Sequence, residues 1–112
     1  MKLVMACGCF DLLHAGHIRH LMAARALGDE LLVVVTSDRQ VSIEKGPGRP
    51  VLSADERVAI LWQLRCVDRV AVNRWPDAVN AIRECCPMYY VKGKEYEGRE
   101  TPALKADRKS VV

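Results

Sequence analysis

Two histidines, His14 and His17, stand three residues apart just after a short apolar run at 3–6, within residues 8–17, Gly-Cys-Phe-Asp-Leu-Leu-His-Ala-Gly-His. A helix that begins after a strand carries unpaired backbone N–H groups and a partial positive charge, so it favours anions such as phosphate. Two imidazoles there can donate hydrogen bonds to charge that develops on a reacting phosphoryl group. Taken alone, a histidine pair this close would favour metal ligands or polar residues that pack a turn.

A second cluster of cations lies downstream, in Lys45-Gly46-Pro47-Gly48-Arg49. Two cations that flank small, stiff residues suit a lid over phosphates, although an ordinary solvated turn has the same composition. The segment is neither a Walker A loop nor a dinucleotide fingerprint, because GxxxxGK and GxGxxG are both absent.

Strand and helix patterns alternate along the chain. Continuous apolar or β-prone runs predict strands at 2–7, 30–36, 68–72 and 88–91. A helix is predicted between the first two strands and ends near Gly28; its inner face is predicted to carry Ile18, Leu21, Met22 and Ala26. The alternation is typical of an α/β protein with a parallel sheet and right-handed crossovers.

Two further helices are predicted from their start signals. Ser53 followed by Glu56 forms a capping box for a helix that runs to about residue 65. Pro76 suits the first turn of the last helix. The inward residues are predicted to be Val58, Leu61 and Trp62 in the former and Ala78, Ile82 and Cys85 in the latter.

The predicted topology brings the polar clusters to one edge of the sheet. His14 and His17 follow the first strand, residues 38–49 follow the second, and Lys92 follows the fourth. Ligands of open parallel sheets bind beyond the carboxyl ends of the strands, where the strand order reverses. The clusters therefore predict one site on that edge.

Composition limits the function classes. The chain of 112 residues is long enough for one domain, and 17 basic against 14 acidic residues give a net charge of +3. Eleven of the basic residues are Arg, which favours bidentate phosphate contacts. This modest, dispersed charge and the few aromatic residues do not indicate nucleic-acid binding. We find no apolar run of signal-peptide or membrane-span length, and we expect a soluble, cytoplasmic protein with no membrane partner.

The five cysteines, an odd number without CxxC spacing, favour a reduced cytosolic protein. Cys7 and Cys9 share one strand face, so geometry alone does not exclude a metal site with His14 and His17. We predict none, because these cysteines fall where the strand should be buried.

The segment 8–17 resembles the GxFDxxHxGH signature of the cytidylyltransferase-like nucleotidyltransferase superfamily, and the similarity extends over roughly residues 2–98. Six positions fill the signature without a gap: Gly8, Phe10, Asp11, His14, Gly16 and His17. Further similar segments are Leu27-Gly28-Asp29, Thr36-Ser37-Asp38, the 45–51 segment, Glu56-Arg57, Cys66-Val67-Asp68 and Val91-Lys92-Gly93. The chain is most similar to the branch that holds heptose 1-phosphate adenylyltransferases and glycerol-3-phosphate cytidylyltransferases.

The resemblance implies a Rossmann-like, doubly wound parallel sheet in three α/β/α layers. It also implies transfer of a nucleoside monophosphate from an NTP, with ATP expected, to a sugar phosphate with release of pyrophosphate. Mg²⁺ is the implied cofactor, and relatives are often homodimers. CTP with glycerol 3-phosphate is the alternative within the class. The implied catalytic residues are His14, His17 and Lys45, and the implied nucleotide-binding residues are Gly8, Cys9, Phe10, Asp11, Gly16, Arg49, Arg57 and Lys92. Asp11 has a second interpretation, as the cap of the following turn.

The chain also departs from the family pattern. It lacks the Ser/Thr-rich segment that opens the family's last helix, Met88 stands where relatives have Asp, and Cys7 stands where they have a polar residue. We therefore expect a domain at 1–98 whose last strand and helix are missing, followed by a charged, flexible tail at 99–112. Two alternatives stay open: a nucleotide-binding module without turnover, and an assembly fragment with an exposed sheet edge.

Overall fold

The computed structural model describes residues 1–92 and a short strand at 110–111. The elements in chain order are β1 (Leu3–Gly8), α1 (Ala15–Arg25), β2 (Glu30–Thr36), α2 (Asp38–Lys45), α3 (Ala54–Leu61), β3 (Arg69–Asn73), α4 (Val79–Cys85), β4 (Tyr89–Lys92) and β5 (Ser110–Val111). The four strands predicted from sequence are all present, each within one residue of its predicted bounds.

All strand pairs are parallel, and the strand order is β3-β2-β1-β4-β5. The chain starts at the centre with β1, moves outward to β3 and then crosses back to β4, so the order reverses between β1 and β4. At that junction Cys7 is paired with Lys92 and, on its other side, with Val34. The predicted doubly wound α/β fold is confirmed.

The sheet has an apolar core on each face. One core joins alternate residues of β1 and β2 to Leu21 of α1 and Leu61 of α3. The other joins Met5 and Tyr90 to Ala81 and Ile82 of α4, among others. Because successive side chains of a strand point to opposite faces, continuous apolar runs supply both cores at once.

The helices differ from the sequence-based predictions in four respects. Helix α4 begins at Val79, so Pro76 lies before the helix and not in its first turn. Helix α2 was not predicted, and it begins where the Ser37 hydroxyl accepts from the Gln40 N–H at 3.2 Å. In α1 the buried residues are Leu21 and Ala24, whereas the predicted inward residues Ile18 and Met22 are exposed, Met22 by 58%. Helix α3 begins at its Ser53 cap as predicted, but its regular part ends at Leu61, and Trp62 is exposed.

The final strand, expected to be missing, is present as a two-residue pairing of β5 with β4: Tyr90 with Ser110 and Val91 with Val111. This corrects the expectation of a sheet without its last strand. Apart from Ser110–Val111, the predicted tail at 99–112 lies outside the described residues. Within the described part of the chain, no helix has the length and apolar character needed to cross a membrane.

Candidate active site

A pocket of about 610 Å³ lies beyond the carboxyl end of β1. Its walls come from the end of β1, the β1–α1 turn, the first turns of α1, and the end of α2 with the loop after it. The lining residues are Cys7, Gly8, Cys9, Phe10, Asp11, His14, Gly16, His17, Arg19, His20, Lys45 and Arg49. The structure thus brings together nine of the eleven residues predicted for the site.

The two histidines share the start of α1 through their Nδ1 atoms. His14 is the N-cap residue, and its Nδ1 accepts from the Gly16 N–H at 3.0 Å. The Nδ1 of His17 accepts in turn from the His14 N–H at 3.2 Å, which completes a reciprocal capping box. Because Nδ1 is the acceptor in both rings, a neutral imidazole at either position carries its proton on Nε2. Each ring can therefore present an N–H donor while it caps the helix.

The glycines of the signature are explained by these rings and by Phe10. A Cβ at Gly16 would lie 2.7 Å from the Cε1 atom of His14, so a side chain there would displace the capping ring. A Cβ at Gly8 would lie 3.0 Å from the Phe10 ring, which is buried and meets the His17 ring edge-to-face at 5.9 Å. The close neighbour of both glycines is thus a side chain of the protein itself.

Asp11 ties the β1–α1 turn to the segment after α2. Its Oδ2 accepts from the Val51 N–H at 2.7 Å and from the Arg49 Nε at 3.1 Å, and its Oδ1 accepts from the Leu52 N–H at 2.9 Å. Burial alone would raise the pKa of the Asp11 carboxyl, but these hydrogen bonds and the Arg49 charge outweigh it and hold the pKa below its ordinary value. Both carboxylate oxygens are engaged within the protein, which favours the structural interpretation of Asp11.

Lys45 and Arg49 enter the pocket wall from the second cluster of cations. Lys45 is the last residue of α2 and is exposed, and the helix ends at Gly46, whose φ of 94° is open to glycine. Arg49 is fixed at its Nε by Asp11, and its carbonyl accepts from the Ser42 hydroxyl. The predicted lid is therefore anchored to the turn that carries Asp11.

Arg57 and Lys92 do not line the pocket. Arg57 is fully buried, and its guanidinium donates to the carbonyl oxygens of Cys9, Thr36 and Leu52 and to Asp38 Oδ1, at 2.7–3.1 Å. All of these bonds go to protein groups, so Arg57 joins the ends of β1 and β2 to the base of α3, and the structure does not bring it to the pocket as the resemblance implies.

The Lys92 side chain is also buried, at the end of β4, and burial lowers the pKa of its ammonium group. Lys92 is not among the residues that line the pocket, so the structure does not place it in contact with a ligand there.

Three lining residues were not predicted as site residues: Cys7, Arg19 and His20. Arg19 and His20 follow His17 on α1, and a spacing of three residues puts His14, His17 and His20 near one helix face. That spacing is visible in the sequence and was the available signal. Cys7 lies beside Cys9 at the end of β1; burial raises the pKa of the Cys7 thiol to about 12, against a hydrogen bond with Tyr90 that lowers it.

The described residues do not fit a metal ion held by protein groups. No group of three or more His, Cys, Asp or Glu side chains among them is placed to hold one. Asp11, the carboxylate of the pocket wall, already uses both oxygens. A magnesium ion that arrives bound to a triphosphate would belong to the substrate, and we derive no step through a protein-held metal.

The geometry matches what a phosphorylated ligand requires. A helix start with two imidazoles lines the same pocket as Lys45 and Arg49, near the reversal of strand order, as in nucleotide-binding α/β folds. The chain belongs to the cytidylyltransferase-like family, whose model matches residues 5–101. This match confirms the family resemblance and supports a nucleotidyltransferase.

Two proteins of similar sequence and one of similar structure show what this chain is similar to within the family. It is 50% identical over 99 residues to the "Bifunctional protein HldE" of Streptomyces coelicolor and 47% identical over 95 residues to that of Pseudomonas fluorescens. These matches cover 88% and 85% of this chain but only 21% and 20% of the relatives, so the chain spans about a fifth of their length. The crystal structure of a lipopolysaccharide core biosynthesis protein from Thermoplasma volcanium superposes with a TM-score of 0.82 at 32% identity, covering 96% of this chain and 88% of that one.

Proposed function

We propose that this chain transfers a nucleoside monophosphate from ATP to a sugar 1-phosphate, heptose 1-phosphate being the first candidate, and releases pyrophosphate. The observation that carries the proposal is the reciprocal cap of His14 and His17: two imidazoles at a helix start line one pocket together with Lys45 and Arg49. The resemblance to the heptose 1-phosphate adenylyltransferase branch and the similarity to the HldE proteins support the choice of nucleotide and acceptor.

The transfer is one in-line displacement at the α-phosphorus. A phosphate oxygen of the acceptor forms the new P–O bond, the bond from the α-phosphorus to the bridging oxygen breaks, and that oxygen leaves with its electron pair on pyrophosphate. The acceptor oxygen is already ionised at neutral pH, so the step needs no general base and no protein nucleophile. Positioning and charge stabilisation then supply the rate.

The residues of the pocket can meet that demand. The Nε2–H groups of His14 and His17 donate to oxygens on the reacting and leaving phosphates. Lys45 is exposed on the pocket wall and offers a mobile cation, while Arg49 keeps its Nη groups for phosphate because Asp11 binds only its Nε. With Arg19, the wall carries three permanent cations and one carboxylate, an excess that suits a polyanion.

Pyrophosphate release tests the proposal directly. The chain is incubated with Mg²⁺, with each of ATP, CTP, GTP and UTP, and with heptose 1-phosphate, glycerol 3-phosphate or other sugar phosphates. We expect pyrophosphate and a nucleoside diphosphate sugar, identified by mass spectrometry, with ATP and heptose 1-phosphate. Turnover of CTP with glycerol 3-phosphate would instead assign the chain to the other branch.

The variant Lys45→Met should lower turnover at least tenfold, because it removes a cation from the pocket wall without touching the core. Lys2→Met, an exposed lysine far from the pocket lining, serves as the matched control and should leave turnover unchanged. Nucleotide binding by calorimetry without pyrophosphate from any pair would contradict the enzyme proposal and favour a binding module.

A further inference from the structure

His20 lies in the pocket wall, deeper along α1 than the two histidines of the helix start. It follows His17 by three residues, a rise of about 4.5 Å along a helix, so its ring sits roughly one turn below the phosphate-binding end. Its position on the same pocket and away from the N-terminus suggests contact with a part of the ligand other than the phosphates.

The ring of His20 has an unmet hydrogen-bonding group. Among the described residues, its Nε2 is the buried side-chain nitrogen or oxygen that has no hydrogen-bond partner. A buried polar group without a hydrogen-bond partner lowers stability by about 1–3 kcal/mol. Such groups are rare in folded proteins, and a bound ligand is one way to satisfy them. Burial also lowers the pKa of the imidazole, which keeps the ring neutral at neutral pH.

The chemistry of a neutral imidazole narrows what could pair with it. Its Nε2 is a donor in one tautomer and an acceptor in the other, and a hydroxyl group can satisfy both. A phosphate offers acceptors only and is better served by the cations and helix start at the other end of the pocket. A metal does not fit, because no described group of three ligand residues surrounds the ring.

We propose that His20 binds a sugar hydroxyl of a substrate through its Nε2. The inference rests on the proposed function, which supplies two sugars, the ribose of the nucleotide and the acceptor. His20 then contributes to substrate affinity and to discrimination against ligands that lack the hydroxyl, and it takes no part in the bond-breaking step.

The variants His20→Phe and His20→Asn test the proposal. Phe keeps a ring of similar shape without a polar atom, and Asn keeps a donor and an acceptor. We expect His20→Phe to raise the Kd or KM of one substrate about 5- to 100-fold, with kcat within about threefold, and His20→Asn to recover part of the loss. Met22→Leu, an exposed position on the same helix outside the pocket, is the control.

The substrates separate the two sources of the hydroxyl. A rise confined to the sugar phosphate assigns the contact to the acceptor. A rise in the Kd or KM of the nucleotide alone assigns the contact to the ribose. In that case the wild type should bind 2′- or 3′-deoxy-ATP as weakly as His20→Phe binds ATP. The variant His20→Phe should then show no further loss of affinity with deoxy-ATP. Unchanged affinity for both substrates in His20→Phe would overturn the proposal.

Stability supplies a readout independent of turnover. Because Phe removes an unpaired buried nitrogen, ligand-free His20→Phe should be at least as stable as the wild type, and a clear fall in its melting temperature would indicate a structural role instead. Titrations need only binding, so they test His20 even where no pyrophosphate forms and the proposed reaction fails. A wild type that binds neither nucleotide nor sugar phosphate would overturn both proposals.

Discussion

The backbone N–H of His14 donates to the Nδ1 of His17 at 3.2 Å, and the two rings lie with their centroids 4.0 Å apart. The side chains proposed to contact phosphate are therefore also the cap of α1. Chemistry and helix stability are coupled at His14, and a suitable pair of variants can separate them.

We predict that His14→Ala and His14→Asn both lose at least about 100-fold in turnover, since both lack the Nε2 donor. Asn is a good N-cap and can still accept from the Gly16 N–H, whereas Ala cannot. The alanine variant should therefore lose about 1 kcal/mol in free energy of unfolding while the asparagine variant stays near the wild type. Urea denaturation and pyrophosphate release measure the two effects. Wild-type turnover in His14→Asn would remove the proposed catalytic role.

A second prediction concerns the hydrogen bonds that the Asp11 carboxylate accepts from the segment after α2. Asp11→Asn replaces an acceptor with an amide that cannot accept from both the Val51 and Leu52 N–H groups and Arg49, and we expect a loss on the order of 2–4 kcal/mol in free energy of unfolding. Glu44→Gln, an exposed carboxylate on α2, is the control and should change stability by less than about 0.5 kcal/mol.

The same variant should change the response of stability to acid. The native pKa of Asp11 lies below its ordinary value of 3.8, so the unfolded chain takes up the proton first as the pH falls. The stabilisation is therefore present above about pH 4 and is lost as the pH falls through the lower native pKa. Denaturation midpoints between pH 2.5 and 6 should fall more steeply for the wild type than for Asp11→Asn; parallel curves would contradict this assignment.

Arg57 is predicted to stabilise the fold through its buried hydrogen bonds. Arg57→Met leaves the carbonyl oxygens of Cys9, Thr36 and Leu52 without their donor, and we expect a loss of about 3 kcal/mol in free energy of unfolding. Arg57→Lys should rescue little of it, because an ammonium group lacks the planar fork that reaches several acceptors. Arg65→Met, an exposed arginine, is the matched control. Normal stability with weakened nucleotide binding would restore the direct contact that the sequence suggested.

Thiol reactivity provides a further prediction. Since burial raises the pKa of Cys7 to about 12, almost no thiolate is present at pH 8. Cys86 is exposed at the end of α4. Iodoacetamide under native conditions should therefore modify Cys86 well before Cys7, as peptide mass spectrometry with time will show. Early modification of Cys7 would contradict the buried thiol.

The strands could be predicted because a strand that is buried on both faces has a continuous run of apolar residues. The run Leu31-Leu32-Val33-Val34-Val35 gave β2 with its bounds unchanged. Helix α2 has no such run, since it buries only Val41. The available signal for α2 is local: Ser37 followed by Gln40 three residues on is typical of a helix start.

The site could be predicted where the backbone fixes the side chain. The signature on the β1–α1 turn placed both histidines, Asp11 and the glycines in one pocket. The direction of a long side chain is not encoded in spacing, and for this reason Arg57 and Lys92 were expected in the pocket and proved to be buried. The inward face of α1 was also mispredicted: the helix buries Leu21 and Ala24, while His20 lines the pocket.

The hydrogen bonds from Arg49, Val51 and Leu52 to Asp11 span about forty positions of sequence. They connect the β1–α1 turn to the segment after α2. Folding has already removed the conformational freedom of this loop before any substrate arrives. Substrate binding then loses little conformational entropy in this loop, so contacts with phosphate contribute more fully to affinity and rate.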